Sequence, residues 1–138
     1  MKLKQVKYIV VHCSYTPEGR DVKTKEIKRW HTEDNGWSNI GYHLVVELDG
    51  SVHVGRDELE RGAGVLGHNH HALHICYVGG MDKDMNPKDT RTESQKKSLE
   101  FMLNYYRAIY PYATIVGHRD LDNRDCPCFD AKTEYQDI

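Results

Sequence analysis

Two short apolar runs near opposite ends of the chain each lead into a histidine. Ile9-Val10-Val11 is followed by His12, and Thr114-Ile115-Val116, after Gly117, by His118. A β-branched run of this kind suits a strand buried on both faces. A mixed sheet covered by helices is the architecture that buries it. If the two strands are neighbours, both imidazoles emerge at one sheet edge, where site residues collect.

The loop after the second strand, Gly117 to Asp130, adds two thiols, Cys126 and Cys128. Histidine and cysteine are good zinc ligands, and a zinc site with three protein ligands keeps a fourth position for water. His12, His118 and one thiol make such a catalytic arrangement. Both thiols together would close the site and make it structural. The spacing leaves that choice open.

Between these runs the pattern predicts a helix within Arg20 to Asp34, with Thr24 as its cap, Ile27, Trp30 and His31 on one face, and Asn35-Gly36 at its end. Trp30 is expected in the core. Trp37 is expected there too, with a platform for a sugar ring as the alternative. Ile40 to Arg56 reads as a hairpin: a strand from Tyr42 to Leu48, the turn Asp49-Gly50, and a return strand with Val52 and Val54 alternating. The pattern alone makes Tyr42 a packed strand aromatic. Asp57 to His71 is a long loop rich in Gly and His, of a length that often carries function. His70 and His71 could line a groove or sit at a solvated tip. Leu73 to Val78 is a further strand, with Cys76 as a small buried hydrophobe. Thr92 and Gln95 form a capping box. The helix they open carries Leu99, Met102, Leu103, Tyr106 and Ile109 on one face, and Pro111 ends it. Thr133 to Ile138 is expected to form a short helical tail. The whole is an α/β (α+β mixed) fold: one domain over residues 1–138, with a central mixed sheet of about five strands flanked by helices.

The net charge of -2, from 19 basic and 21 acidic side chains, argues against nucleic acid as the partner. No run approaches the roughly 18 apolar residues of a membrane span. Met1 to Gln5 lacks the apolar core of a secretory signal, so the chain is expected in the cytoplasm on synthesis. Four cysteines in such a chain point to metal binding or burial rather than disulfides.

Short motifs along nearly the whole chain resemble those of the zinc-dependent N-acetylmuramoyl-L-alanine amidases of the phage lysozyme type, relatives of the peptidoglycan recognition proteins. They are Val11-His12-Cys13-Ser14, Trp30-His31, Gly36-Trp37, Gly41-Tyr42-His43, Asp49-Gly50, Gly55-Arg56, Gly67-His68-Asn69-His70, Val78-Gly79-Gly80, Gly117-His118-Arg119-Asp120 and Cys126-Pro127-Cys128-Phe129-Asp130. The resemblance implies hydrolysis of the amide between N-acetylmuramic acid and L-alanine in peptidoglycan, with zinc held by His12, His118 and Cys126. It selects Cys126 over Cys128, because the family's ligand is the thiol before Pro-x-Phe-Asp. It also makes Tyr42 the catalytic tyrosine.

In the phage enzymes a lysine that assists catalysis lies two residues before the ligand cysteine. Here that residue is Arg124, which keeps the charge but is a poor proton donor. Electrostatic stabilisation is the role left to it. His70, Asn69 and Arg56 are candidate groove contacts, and Asp120 or a backbone carbonyl is the candidate to orient a ligand imidazole. The chain is expected to act as a monomer on the cell wall, after release or export. Some phage relatives also restrain an RNA polymerase, a role to which the near-neutral charge gives no support. The competing class is a peptidoglycan-binding or regulatory module with a structural zinc.

Overall fold

A computed structural model describes residues 5–138. Met1 to Lys4, most of the stretch read for a secretory signal, lie outside the described residues. The β-branched run forms β1 (Tyr8–Cys13), next to the centre of a five-stranded sheet. The other strands are β3 (Leu44–Val46), β4 (Val52–Val54), β5 (Ala72–Tyr77) and β7 (Thr114–Gly117), in the order β4-β3-β5-β1-β7. β1 runs parallel to β5 and β7, β3 parallel to β5, and β4 antiparallel to β3. The expected mixed sheet of five strands is therefore present. A two-stranded parallel pair, β2 (Thr16–Pro17) with β6 (Gly80–Met81), lies apart from it.

Alternation along β1 divides the core. Ile9, Val11 and Cys13 pack with Leu73, Ile75 and Tyr77 against Leu99, Leu103 and Tyr106 of α2 (Glu93–Ile109). Val10 packs on the opposite face with Val65, Ala72 and Val116. Each fully buried leucine of this set contributes on the order of 2 kcal/mol. The capping box forms as expected: Gln95 N–H donates to Thr92 Oγ1 at 3.1 Å, and Thr92 N–H to Gln95 Oε1 at 3.0 Å. The buried Gln95 amide also donates to the carbonyls of Val78 and Val46, which pins the helix to the sheet.

Some expectations change. Thr24 does not cap α1 (Thr24–Arg29). Lys23 occupies the cap position, and Thr24 N–H and Oγ1 both donate to the buried Glu47 carboxylate. After α1 the helix widens for one turn, Trp30–Asp34, with Asn35 N–H reaching back to the Trp30 carbonyl. Trp30 is half-buried rather than enclosed. The first hairpin strand begins at Leu44, so Tyr42 and His43 precede it. Val52 and Val54 alternate but are not buried: β4 is an edge strand, and an open depression lies between it and Met102, Tyr105 and Tyr106 of α2. Ile109, the last residue of the helical stripe, is exposed. The tail helix, α3 (Ala131–Glu134), starts earlier than the pattern suggests, because Asp130 caps it.

Candidate metal centre

The register Val11↔Gly117 places His12 and His118 one step further on, at the same edge of the sheet. Their rings lie 4.8 Å apart, centroid to centroid. Cys126 returns to them through a loop closed by a hydrogen bond from Arg119 N–H to the Cys126 carbonyl at 2.7 Å. His12, His118 and Cys126 each offer a ligand atom, all within 4.8 Å of one another.

Burial pushes the His12 pKa well below its ordinary value, and the neighbouring His74 and His118 add to the effect. Burial lowers that of His118 as well; Asp122 opposes the shift and Arg124 supports it. Both rings are held neutral, the form that ligates a metal. His118 Nε2 is buried with no hydrogen-bond partner among the described residues, and the Asp122 carboxylate is 3.7 Å away. A buried polar atom left in this state is costly unless an ion or other partner completes it. Two imidazoles and a thiol with such an orphaned nitrogen fit a zinc ion by number and chemistry.

Cys126 is fixed from two sides. Cys13 N–H donates to Sγ at 3.1 Å, and Cys126 N–H donates to the Tyr15 phenol oxygen at 3.0 Å. Cys128 points elsewhere: its Sγ lies 3.8 Å from Cys13 Sγ, and that contact together with burial pushes its thiol pKa up. It stands outside the three-ligand cluster. Asp120, expected to orient an imidazole, instead accepts the Gly117 N–H at 2.7 Å and shapes the turn that carries His118. The partner of the His12 ring is His74, at 2.9 Å.

Tyr42 packs its ring on His12 at 5.1 Å and on His31 at 5.3 Å. Burial first, and then the nearby Cys76 and Cys126, raise its phenol pKa well above the ordinary value. Beside the cluster lies an open depression of about 380 Å³ lined by Trp37, Ala63, Gly64, Val65, Leu66, Asn69, His118, Asp122 and Arg124. Trp37, expected in the core, is 39% exposed on its rim and leans on His31. Asn69 and Arg124 line this depression together with His118. His70 does not: it lines a separate depression with Gln5, Lys7 and Tyr112. Arg56 spends its guanidinium on the carbonyls of Asn39, Ile40 and Arg61 and braces the neighbouring loops. Sequence pattern alone does not point to Tyr15, the Cys13 amide or His74, which all contact this cluster. A histidine inside the otherwise apolar run Leu73 to Val78 was the one available signal.

The same fold is found in known structures. An endolysin of a Thermus scotoductus bacteriophage superposes with a TM-score of 0.78 at 27% identity, over 90% of this chain and 78% of that one. Drosophila PGRP-LB superposes with a TM-score of 0.81 at 18% identity, over 99% and 84%, a likeness of fold alone. The fold is thus that of the peptidoglycan recognition proteins and related endolysins. The profile of the N-acetylmuramoyl-L-alanine amidase family (Amidase_2) matches residues 2–129, and the chain belongs to that family. The endolysin of Enterobacteria phage K11 is 39% identical over 129 residues, covering 94% of this chain and 85% of that one. The endolysin of Escherichia phage T7 is 38% identical over 128 residues, covering 93% and 84%.

Proposed function

We propose that the chain is a zinc-dependent amidase that cuts between the lactyl group of N-acetylmuramic acid and the L-alanine of the peptidoglycan stem peptide. His12, His118 and Cys126 hold the ion, and residues 1–138 act as one domain and as a monomer. The observation that carries this reading is the convergence of three ligand atoms within 4.8 Å, two of them on neutral imidazoles. Zinc in such a site supplies Lewis acidity and a water that ionises near neutral pH.

The surrounding side chains supply the rest. Trp37 offers an exposed ring face on which a sugar can stack. Tyr42, kept protonated by burial, donates a hydrogen bond to the oxyanion that develops on the scissile carbonyl. Arg124, on the rim, adds fixed positive charge to the same transition state. Asn69 forms part of the groove wall. The naming of the phage relatives as endolysins supports a lytic setting, with the enzyme reaching the wall after release or export. No helix of the described residues is long and apolar enough to cross a membrane.

Mass analysis of digested peptidoglycan tests the reading. Stem peptides should appear with a free N-terminal L-alanine, alongside glycan whose N-acetylmuramic acid carries a free lactyl carboxylate. Activity should vanish on chelation and return with one zinc per chain. Fragments cut within the glycan or the peptide would overturn it.

A further inference from the structure

We propose that His74 and Asn69 fix the tautomer and the aim of His12, so that its lone pair is delivered toward Cys126 and His118. The inference rests on the metal reading above. It assigns to His74, and newly to Asn69, a positioning role for the ligand imidazole.

One chain of hydrogen bonds sets the tautomer. Asn69 Oδ1 accepts from the backbone N–H of Gly64 at 2.9 Å and of Val65 at 3.0 Å. Two donors facing one side-chain atom identify it as the amide oxygen, because an NH₂ group there would oppose them. An oxygen cannot donate, so the third contact, His74 Nε2 at 2.9 Å, must carry the hydrogen. A neutral imidazole protonated on Nε2 has a bare Nδ1. That Nδ1 lies 2.9 Å from His12 Nε2, so His12 is the donor in this contact. His12 therefore bears its hydrogen on Nε2 and presents an unprotonated Nδ1. The latter faces the ligand sulfur, with Cys126 Sγ 3.8 Å away. Two peptide N–H groups of the long loop thus decide, through three side chains, which nitrogen of His12 is free for a metal.

The seat of His74 is built for a ring. A side-chain carbon on Gly64 would come within 2.4 Å of His74 Nδ1, and one on Gly62 within 2.8 Å of Cδ2. Glycine at these two positions lets the loop backbone close over the imidazole. From the sheet side, His74 N–H donates to His43 Nδ1 at 2.9 Å, and His43 Nε2 donates to the Glu60 carbonyl at 2.7 Å. The His43 and His74 rings lie parallel, 5.7 Å apart. Partners of this kind typically change metal affinity 10- to 100-fold when lost.

Two measurements on the full chain test this. The first is the ¹⁵N–¹H imidazole spectrum of the metal-free, unaltered protein. His12 and His74 should both be Nε2–H tautomers, and an Nδ1–H tautomer of His12 would overturn the proposal. The second is zinc affinity by competition with a chromophoric chelator. Asparagine at position 74 can keep an acceptor at the place of Nδ1, whereas glutamine reaches toward Asn69 and leaves His12 without one. His74→Gln should bind zinc about 10- to 100-fold more weakly, and His74→Asn should recover most of that loss. Equal affinity for His74→Gln and the unaltered chain would sink the idea. If the unaltered chain binds no zinc, the proposed function fails, while the tautomer spectrum still decides this inference.

Discussion

Arg91 lies behind the loop that carries Cys126, and its surroundings allow a ranking of substitutions. The side chain is 1% exposed. Its guanidinium donates to Asp89 through Nε and Nη2, to Glu134 through Nη1 and Nη2, and to the Tyr135 hydroxyl through Nη1. It also lies 3.4 Å from the centre of the Phe129 ring, three residues past Cys126. The two carboxylates are far wetter, at 35% and 45% exposure. Removing the arginine therefore leaves two anions that water can reach. Removing the carboxylates leaves a cation sealed in the protein.

The second orphan is the costlier one. Loss of one partner from a buried pair costs about 3–5 kcal/mol, and the paired Asp89→Asn, Glu134→Gln variant should fall in that range. Arg91→Met gives up charge-assisted hydrogen bonds but also the burden of burying a cation, and keeps an apolar contact with Phe129. It should cost about 2 kcal/mol. Urea unfolding at pH 7 measures both through the midpoint and slope.

A pH arm checks the cause. Hydrogen bonds from Arg91 hold the Glu134 carboxyl below its ordinary value; burial pushes Asp89 up, but the bonds and charge of Arg91 bring it below its own. For such groups the stabilisation is present above the unfolded pKa values, near 4, and is lost as pH falls through the lower folded values. Arg91→Met should therefore lose less stability than the unaltered chain below about pH 4. If Arg91→Met proves more damaging than the double carboxamide, the burial argument is wrong.

Three further outcomes follow from the site. Cys126→Ser should lose bound zinc and turnover together, whereas Cys128→Ser should keep both, because its thiol faces Cys13; elemental analysis showing an empty Cys128→Ser would move the ligand assignment. Tyr42→Phe should retain zinc and fold while kcat drops on the order of 100- to 1000-fold, the usual loss for one oxyanion donor; an unchanged kcat removes the phenol from the reaction. Arg124→Ala should lower kcat on muropeptides, and Arg124→Lys should restore most of it, since a positive charge at the rim is what the position supplies. A lysine variant as slow as the alanine one would show that charge alone is not its role.

The parts of this structure that were legible in the sequence are those fixed by local chemistry. Ile9-Val10-Val11 could only be an inner strand, Asp49-Gly50 turns with Gly50 at φ +88°, and Thr92 with Gln95 caps a helix whoever its neighbours are. The unreadable parts depend on partners far along the chain. Thr24 looked like a cap because its nearest acceptor could not be known: Glu47 arrives from 23 residues away and takes both of its hydrogens. Val52 and Val54 alternate like buried residues, yet an edge strand has too little covering it. Trp37 is as apolar in the sequence as Trp30, and only the position of the loop puts it on a rim. Only the family resemblance points to Tyr42 as catalytic; its strand-like pattern alone suggests a packing role.

The placement of the three candidate metal ligands follows from the core rather than from the site. Side chains on a strand alternate, so the burial of Ile9, Val11 and Cys13 toward α2 sends Val10 and His12 to the other face. A slip of one residue in β1 would turn His12 toward Leu99 and Leu103 and send Ile9, Val11 and Cys13 to the face of Val10, leaving a polar ring in the helix-covered core. The same registry, Val10 beside both His74 and Val116, brings β5 and β7 to the level at which His74 meets His12 and His118 follows Gly117. His118 follows β7 in a short 3-10 turn, and Cys126 arrives by a longer loop in which Cys13, Tyr15 and Arg119 each bind its atoms. His12 stands on β1 itself and His118 one residue past β7, so the sheet that folds the chain also brings the two imidazoles together, with His74 and the Asp120 turn completing their aim.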